Sequence, residues 1–304
     1  MAREIIQGLV VCLQSGFYTV ETSGGSVTCQ LRGRLKREAK QGTIVAVGDT
    51  VQVMLQSDGT GSIESVEPRR RALVRLAPTP QGEFRQVLIS NPDQVILVFA
   101  CARPEPHLRM LDRFLVICEK QEIPAVIVAN KTDLIGEDSS RDLFDLYAEL
   151  GYTVLYTSAY EHKGLADLEK LMEGKISVLA GPSGVGKTSL LNAVQPELGL
   201  KVNQVSAMTL KGKHTTVVRQ LFNLGQGSYV ADLPGLRSLA LWDTEPEELD
   251  GYFIEFRRFI SSCQFNDCTH DHEPGCAVRS AVENGSIHPL RYDSYLRLRA
   301  GNLD

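Results

Sequence analysis

A glycine-rich octapeptide, GPSGVGKT at residues 181–188, constrains the fold of this chain most. It follows an apolar stretch at residues 176–180 and precedes another at 189–194, which predicts a strand, a loop and a helix in that order. The spacing G-x-x-x-x-G-K-T in this setting is typical of a loop whose backbone N–H groups surround phosphate oxygens. The alternative is a glycine-rich turn without a ligand. The first interpretation requires a parallel sheet covered by helices, and four further strand-like runs between residues 94 and 232 fit one.

Within this loop each residue type has a predicted task. Gly184 and Gly186 let the backbone curl around a phosphate, Lys187 neutralises charge on the outer phosphates during catalysis, and Thr188 offers its hydroxyl to magnesium. The predicted nucleotide contacts in this run are Gly181, Pro182, Ser183, Gly184, Val185, Gly186, Lys187, Thr188 and Ser189.

The motif N-K-x-D at residues 130–133 predicts which base is bound. Asp133 can accept two hydrogen bonds from the ring N–H and the amine of guanine, an arrangement that adenine does not supply. Asn130 would brace the loop, and the stem of Lys131 would lie along the base. Ser158 and Ala159, at the end of the next predicted strand, would meet the guanine carbonyl. Alone, N-K-x-D also suits an ordinary surface turn, but beside a phosphate loop it indicates guanine.

Two later segments complete the predicted site. The motif D-x-P-G begins at Asp232, whose carboxylate would hold magnesium, and ends at Gly235, whose N–H would contact the terminal phosphate. The segment GKHTT at residues 212–216 contributes Thr216, chosen over Thr215, as a further magnesium ligand. A solvated basic loop is the alternative for this segment.

The order of these motifs is unusual, because the base-reading loops precede the phosphate loop, whereas ordinary GTPases have the reverse order. Each motif follows a strand of one parallel sheet, so joining the old termini and opening new ones leaves the geometry of the site unchanged. The sequence therefore predicts a circularly permuted P-loop GTPase domain of the α/β class.

The flanking segments predict two further domains. Five short apolar runs at residues 5–11, 17–20, 27–31, 50–55 and 61–66 indicate a small all-β barrel. The predicted boundaries are 1–71 for the barrel, 72–240 for the GTPase domain and 241–304 for a mostly helical domain. The longest apolar run, residues 95–102, is far shorter than the ~20 residues that span a bilayer. We therefore expect a cytoplasmic protein with no membrane contact. We also expect a monomer.

Cysteine and histidine cluster in the last segment, where C-x4-C-x-H-x5-C is formed by Cys263, Cys268, His270 and Cys276. Three thiolates and one imidazole make a closed tetrahedral set typical of structural zinc. His272 competes with His270, and spacing alone does not choose between them. Reduced cysteines beside surface histidines are the alternative.

The motifs NKTD, GPSGVGKTS, GKHTT and DLPG, together with CTHDHEPGCAV at residues 268–278, resemble those of the RsgA (YjeQ/YloQ) family of bacterial ribosome-dependent GTPases. The resemblance covers nearly the whole chain. It implies an OB-fold, a permuted GTPase domain and a zinc domain that together bind the small ribosomal subunit late in its maturation, with subunit-stimulated hydrolysis of GTP. It also favours His270 over His272 as the zinc ligand.

Catalysis and RNA contact are the least constrained predictions. Leu236 stands where many GTPases have a water-orienting glutamine, and the family-like substitute is His214, unless the ribosome supplies that group. RNA contact is predicted for a basic run that an OB-fold would place on a strand and loop, and a solvated face is its alternative. This run comprises Arg32, Arg34, Lys36, Arg37 and Lys40.

Other functions remain open at this stage. A P-loop kinase or ATPase would bind ATP as tightly as GTP, and a non-hydrolysing RNA-binding scaffold would not respond to ribosomal subunits. A permuted GTPase of the large subunit is the nearest alternative, and co-sedimentation would separate it from the proposed one.

Overall fold

The computed structural model of the chain describes residues 5–33, 35, 43–79, 82–200, 219–232 and 244–302. Among these residues, no helix combines the length and the apolar character that crossing a bilayer requires.

The N-terminal strands form the predicted closed barrel. They are β1 (Ile5–Gln14), β2 (Phe17–Thr22), β3 (Gly25–Leu31), β4 (Thr50–Leu55) and β5 (Gly61–Val66). The barrel order is β1-β2-β3-β5-β4, and β4 closes back onto β1. The β3–β5 pair is parallel and the other pairs are antiparallel. Alternation along the strands places Val10, Val20 and Ile63 in a fully buried core.

A two-stranded hairpin follows the barrel. Its strands are β6 (Ala72–Thr79) and β7 (Gly82–Ser90), which pair antiparallel. The sequence patterns did not predict these strands, because Pro78, Pro80 and Gly82 interrupt the apolar alternation.

The GTPase domain is built on a second sheet. Its strands are β8 (Gln94–Ala100), β9 (Ala125–Asn130), β10 (Thr153–Thr157), β11 (Ile176–Ala180), β13 (Phe222–Gly225) and β14 (Ser228–Asp232). The order is β10-β9-β8-β11-β14-β13, parallel except for β13 at the edge. The short strand β12 (Arg219–Gln220) pairs with β1 of the barrel instead. Strand β8 is buried along its whole length, as expected for a central strand covered on both faces.

Four helices belong to this sheet. They are α1 (Leu108–Lys120), α2 (Glu137–Glu149), α3 (Leu165–Met172) and α4 (Lys187–Val194). Apolar residues form a separate core on each face of the sheet. The core that contains Phe99 and Leu111 also includes Val11 of the barrel and Leu73 of the hairpin, so barrel and sheet share one apolar interior.

The C-terminal segment is mostly helical, as predicted. Its helices are α5 (Arg257–Ile260), α6 (Ala277–Glu283) and α7 (Pro289–Arg299). Phe253, Phe256 and Tyr295 form its core, which also takes in Val116 from α1. This domain therefore packs on the first helix of the GTPase domain.

Candidate nucleotide site and metal cluster

The candidate nucleotide site lies where the strand order of the GTPase sheet reverses. From β8, the chain continues to β9 and β10 on one side, whereas β11 and β14 lie on the other. Loops that leave the carboxyl ends of strands at such a point diverge and open a crevice. The phosphate loop follows β11, so its sequence position places it at this crevice.

Two glycines of the phosphate loop are required by the space around them. Gly181 has φ +144°, and a Cβ atom there would lie 2.1 Å from the Val98 carbonyl oxygen. Gly186 has φ +98°, and a Cβ atom there would lie 2.4 Å from the Asn130 side-chain nitrogen. These close approaches bring the N-terminus of α4 to the crevice, where its N–H groups and dipole favour an anion.

The side chains of the loop bond the loop's own backbone or are buried beneath it. The Lys187 ammonium lies 2.8 Å from both the Gly181 and the Pro182 carbonyl oxygens. Thr188 and Val185 are buried, and Val185 anchors the loop in one of the sheet's two apolar cores. Ser183 and Gly184 are exposed and Ser189 is half-buried.

The N-K-x-D segment contacts the phosphate loop directly. Asn130 donates from Nδ2 to the Val185 carbonyl oxygen at 2.8 Å and accepts from the Thr157 hydroxyl at 3.0 Å. Lys131 donates from Nζ to the Gly184 carbonyl oxygen at 2.7 Å. Burial lowers the pKa of Lys131, and the charge of Asp133 partly opposes this. Three segments far apart in sequence thus form one rim.

Asp133 faces the segment that follows β10. Its Oδ1 accepts a hydrogen bond from the Ser158 hydroxyl at 2.6 Å. Ser158 is buried and exchanges two backbone hydrogen bonds with Lys163, both 3.1 Å, which close a tight turn that includes Ala159. Sequence reasoning missed the supporting Thr132, whose hydroxyl donates to the Thr157 carbonyl oxygen at 3.2 Å. Ser158 therefore holds the carboxylate predicted to read guanine, and Thr132 fixes the backbone next to it.

The predicted magnesium ligands are described only in part. Thr188 follows Lys187 at the start of α4. Asp232 ends β14 and lies opposite Leu179 of β11 in the parallel register, at the same sheet edge as the phosphate loop. His214, Thr216 and Gly235 lie outside the described residues.

The four predicted metal ligands converge in the C-terminal domain. One donor atom from each of Cys263, Cys268, His270 and Cys276 lies within 4.8 Å of the others. The Nδ1 atom of His270 is 3.5 Å from the Cys263 sulfur and 3.4 Å from the Cys276 sulfur. A tetrahedral zinc with ~2.3 Å zinc–sulfur bonds has edges of about 3.8 Å between sulfurs, so this donor set fits zinc. His272, 81% exposed, lies apart from the cluster.

Groups around the cluster orient the histidine, and sequence reasoning missed them. His270 contacts Asp250 through Nε2 at 3.1 Å, which leaves Nδ1 facing the thiols. The Tyr292 hydroxyl donates to the His270 carbonyl oxygen at 2.5 Å. Glu273 accepts from the backbone N–H groups of Thr269, Asp271 and His272, so it closes the loop. The sequence signal for this role is weak, because CTHDHEPGC contains two acidic residues, Asp271 and Glu273, and nothing in their spacing distinguishes them.

Of the predicted RNA contacts, Arg32 is described and is half-exposed beside Glu64, with which it forms an ion pair. Arg34, Lys36, Arg37 and Lys40 lie outside the described residues. Strand β3, which leads into this basic run, pairs with both β2 and β5 in the barrel.

A phosphate loop, a guanine-reading loop that precedes it in sequence, and a sheet in which both lie at one edge define a circularly permuted P-loop GTPase. The comparisons agree with this class. The family model for the RsgA GTPase matches residues 66–242, and the RsgA N-terminal domain model matches residues 7–63. The chain belongs to the RsgA family of GTPases.

Individual relatives cover almost the whole chain. The small ribosomal subunit biogenesis GTPase RsgA of Gemmatimonas aurantiaca is 45% identical over 296 residues, 96% of each chain. The protein of the same name from Moorella thermoacetica is 41% identical over 97% of each chain. Among solved structures, YjeQ from Thermotoga maritima superposes with a TM-score of 0.81 at 38% identity over 99% of each chain. YloQ, described as a circularly permuted GTPase, has a TM-score of 0.75 at 33% identity, covering 98% of this chain and 95% of its own.

Proposed function

We propose that this GTPase acts on the small ribosomal subunit during its maturation and is released after GTP hydrolysis. The observation that carries the proposal is the direct contact of Asn130 and Lys131 with the phosphate loop, which joins base recognition to phosphate binding. Relatives named for small-subunit biogenesis, which match over at least 93% of this chain, support the choice of subunit.

The nucleotide would be held by groups that the fold pre-positions. Backbone N–H groups at residues 184–189 surround the phosphates, and Lys187 compensates charge that develops on the outer phosphate during transfer. Asp133, held by the Ser158 hydroxyl, accepts two hydrogen bonds from guanine. Gly235 would add an N–H to the terminal phosphate.

Three oxygen donors would hold the magnesium ion that accompanies GTP: Thr188, Thr216 and Asp232. When bound, Mg²⁺ neutralises charge on the β- and γ-phosphates. His214 orients the attacking water in this proposal, since Leu236 has no polar atom for that task. The cysteine-histidine cluster takes one structural zinc, which leaves no open coordination position for catalysis.

Ribosomal RNA is the proposed partner of the barrel. Arg32, Arg34, Lys36, Arg37 and Lys40 would contact its phosphates, a mode that needs no exposed aromatic side chains. The protein would work as a monomer in the cytoplasm. A kinase or ATPase is disfavoured because the N-K-x-D loop is built against the phosphate loop, a feature that adenine recognition does not need.

GTP turnover with and without purified small subunits tests the proposal. We expect stimulation for the wild type, loss of stimulation for His214→Ala, and loss of guanine preference for Asp133→Asn. Large subunits are the matched control, and co-sedimentation in a non-hydrolysable GTP analogue identifies the bound subunit. Equal stimulation by both subunits, or ATP competing as well as GTP, would overturn the assignment.

A further inference from the structure

Two segments are proposed to supply magnesium ligands, GKHTT at residues 212–216 and the D-L-P-G motif that begins at Asp232, and they are called the magnesium segments below. The stretch between them contacts the barrel. Residues 219–232 follow GKHTT and end at Asp232, the first residue of D-L-P-G. They form β12, β13 and β14. Strand β12 pairs with β1 of the barrel, and β14 pairs with β11, which leads into the phosphate loop. One short stretch therefore contacts both the barrel and the strand that precedes the nucleotide site.

The barrel holds the first end of this stretch through backbone groups. Cys12 lies opposite Gln220 and Leu13 lies opposite Arg219 in the antiparallel register. The pairing continues to Leu221, whose N–H donates to the Val11 carbonyl oxygen at 2.8 Å. Leu221 is 3% exposed and packs in the same core as Val11, so this end is fixed by hydrogen bonds and by burial.

The second end is held in the sheet by pairing with β11, and one carboxylate of the barrel contacts it as well. Glu21, on β2 of the barrel, accepts at Oε2 from the Asn223 side chain at 3.3 Å and from the Tyr229 hydroxyl. Asn223 and Tyr229 lie opposite each other in the β13–β14 pair, so Glu21 contacts both strands at the same residue pair. Tyr229 is three residues before Asp232 on the same strand.

The barrel also contacts the start of the GTPase domain through a neighbouring segment, which is bonded to β1 at Val10. Ser90 donates its N–H to the Val47 carbonyl oxygen at 2.8 Å, and Asn91 donates from its side chain to the Gly48 carbonyl oxygen at 3.2 Å. The two contacts are neighbours and share one apolar core. Any shift of the barrel relative to the sheet would act on residues 219–232 through Leu221 and through Glu21.

We propose that Glu21 and the β1–β12 pair are positioning elements for GTP hydrolysis, through which the barrel sets the placement of the two magnesium segments. The inference rests on the proposed roles of Thr216 and Asp232. Glu21 does not contact the phosphate loop or the base-reading loops through any bond described, so its effect reaches the nucleotide through the magnesium segments and falls mainly on turnover. A partner bound to the barrel gains control of hydrolysis through this contact.

The test is steady-state GTP turnover of the full-length protein without ribosomal subunits, so that the proposed partner does not enter. We expect Glu21→Ala and Tyr229→Phe each to lower kcat about fivefold, the factor that ~1 kcal/mol represents, with KM changed less than about twofold. The double variant should fall no further than Glu21→Ala alone, since that change already removes the contact that Tyr229→Phe removes. Glu21→Gln should recover most of the rate, because its amide oxygen still accepts from Tyr229.

Glu67→Ala is the matched control, since Glu67 accepts from Gln52 within the barrel. Wild-type kcat in a folded Glu21→Ala protein would overturn the inference. So would equal losses of kcat in Glu21→Ala and Glu67→Ala with parallel drops in melting temperature, because that pattern indicates a merely structural role. A wild type that does not hydrolyse GTP even when small subunits are added would instead contradict the proposed function.

Discussion

The N-terminal barrel contacts the GTPase domain through main-chain hydrogen bonds and single side chains such as Glu21, whereas the C-terminal domain contacts it through a cluster of buried charges. On the barrel side, Leu221 bonds Val11 and Ser90 bonds Val47, each by a main-chain hydrogen bond of 2.8 Å. Such bonds do not depend on which side chains the paired residues carry. Apolar packing against the sheet accompanies them.

On the C-terminal side, Arg291 of α7 is 1% exposed and lies between two carboxylates. Its Nη1 is 2.7 Å from Asp112 of α1, and its Nε is 2.7 Å from Glu255. Burial opposes the charged guanidinium, but the two carboxylates more than compensate and raise the pKa of Arg291. The guanidinium also lies 4.6 Å from the centre of the Phe253 ring.

The two contacts differ in how they lose stability when one of their residues is changed. A backbone strand pair loses stability in small steps, because each bond contributes about 1 kcal/mol. A buried charge cluster fails as a unit, since removing one member leaves the others desolvated and unpaired. The barrel contact is therefore suited to graded adjustment, and the C-terminal contact to fixed placement.

Removal of the proposed zinc should have the largest effect and should be confined to the C-terminal side. Structural zinc contributes on the order of 10 kcal/mol to folding in small domains. We expect a chelator, or Cys276→Ser, to raise amide hydrogen exchange across residues 249–299 and to leave the barrel strands protected. Cys12→Ser, outside the cluster, is the control. Retained zinc stoichiometry in Cys276→Ser, measured by native mass spectrometry, would contradict the assignment.

Breaking the buried charge cluster should come next. Asp112→Ala leaves Arg291 with one carboxylate and removes the acceptor for the Tyr147 and Ser294 hydroxyls. We expect a loss of about 3–5 kcal/mol in the free energy of unfolding, measured by urea denaturation. The control replaces the three charges together by neutral residues of similar size, Asp112→Asn, Glu255→Met and Arg291→Met, which should regain most of the loss because the Asn amide oxygen still accepts from the buried hydroxyls. If stability is not recovered, the three charged groups contribute more to the free energy of unfolding than the neutralisation of one another's charge.

The sequence predicted the nucleotide rim better than these attachments, for a physical reason. The N-K-x-D and G-K-T motifs fix local geometry, so Asn130 and Lys187 could be placed once their strands were recognised. The buried charge cluster joins Asp112 to Arg291 across 179 residues, a distance that no local motif spans. A charged residue in a helical pattern ordinarily indicates a solvated face, so the pattern did not reveal this contact. The alternation of apolar and polar residues predicted the closed barrel. The pairing of the barrel with β12 depends on Arg219 and Gln220, which carry no strand signal in the sequence.

A glycine at the contact between the barrel and the GTPase domain allows a test with a smaller expected loss of stability. Gly48 has φ +92°, and a Cβ atom there would lie 2.1 Å from the Ser90 carbonyl oxygen. Gly48→Ala should therefore cost about 1–3 kcal/mol, through backbone strain and displacement of the barrel from the sheet. Gly59→Ala is the matched control, because Gly59 has φ +82° with no atom within 4 Å of the added Cβ. Equal losses in urea denaturation would mean that strain alone acts and that the contact with Ser90 is unimportant.

The smallest effect is expected at an exposed ion pair on the same interface as the buried cluster. Arg109 of α1 lies 3.0 Å from Asp293 of α7, with side chains 54% and 42% exposed, and Arg297 also contacts Asp293 at 3.0 Å. Water screens such pairs, so a double-mutant cycle of Arg109→Ala and Asp293→Ala should give a coupling of about 0.2–1 kcal/mol that falls as salt rises. The buried cluster should keep its coupling at high salt, because solvent ions do not reach it. A coupling energy at Arg109 that is insensitive to salt and as large as that at Asp112 would mean that burial does not determine the strength of these ion pairs. In that case, burial could not explain why one attachment fails gradually and the other fails as a unit.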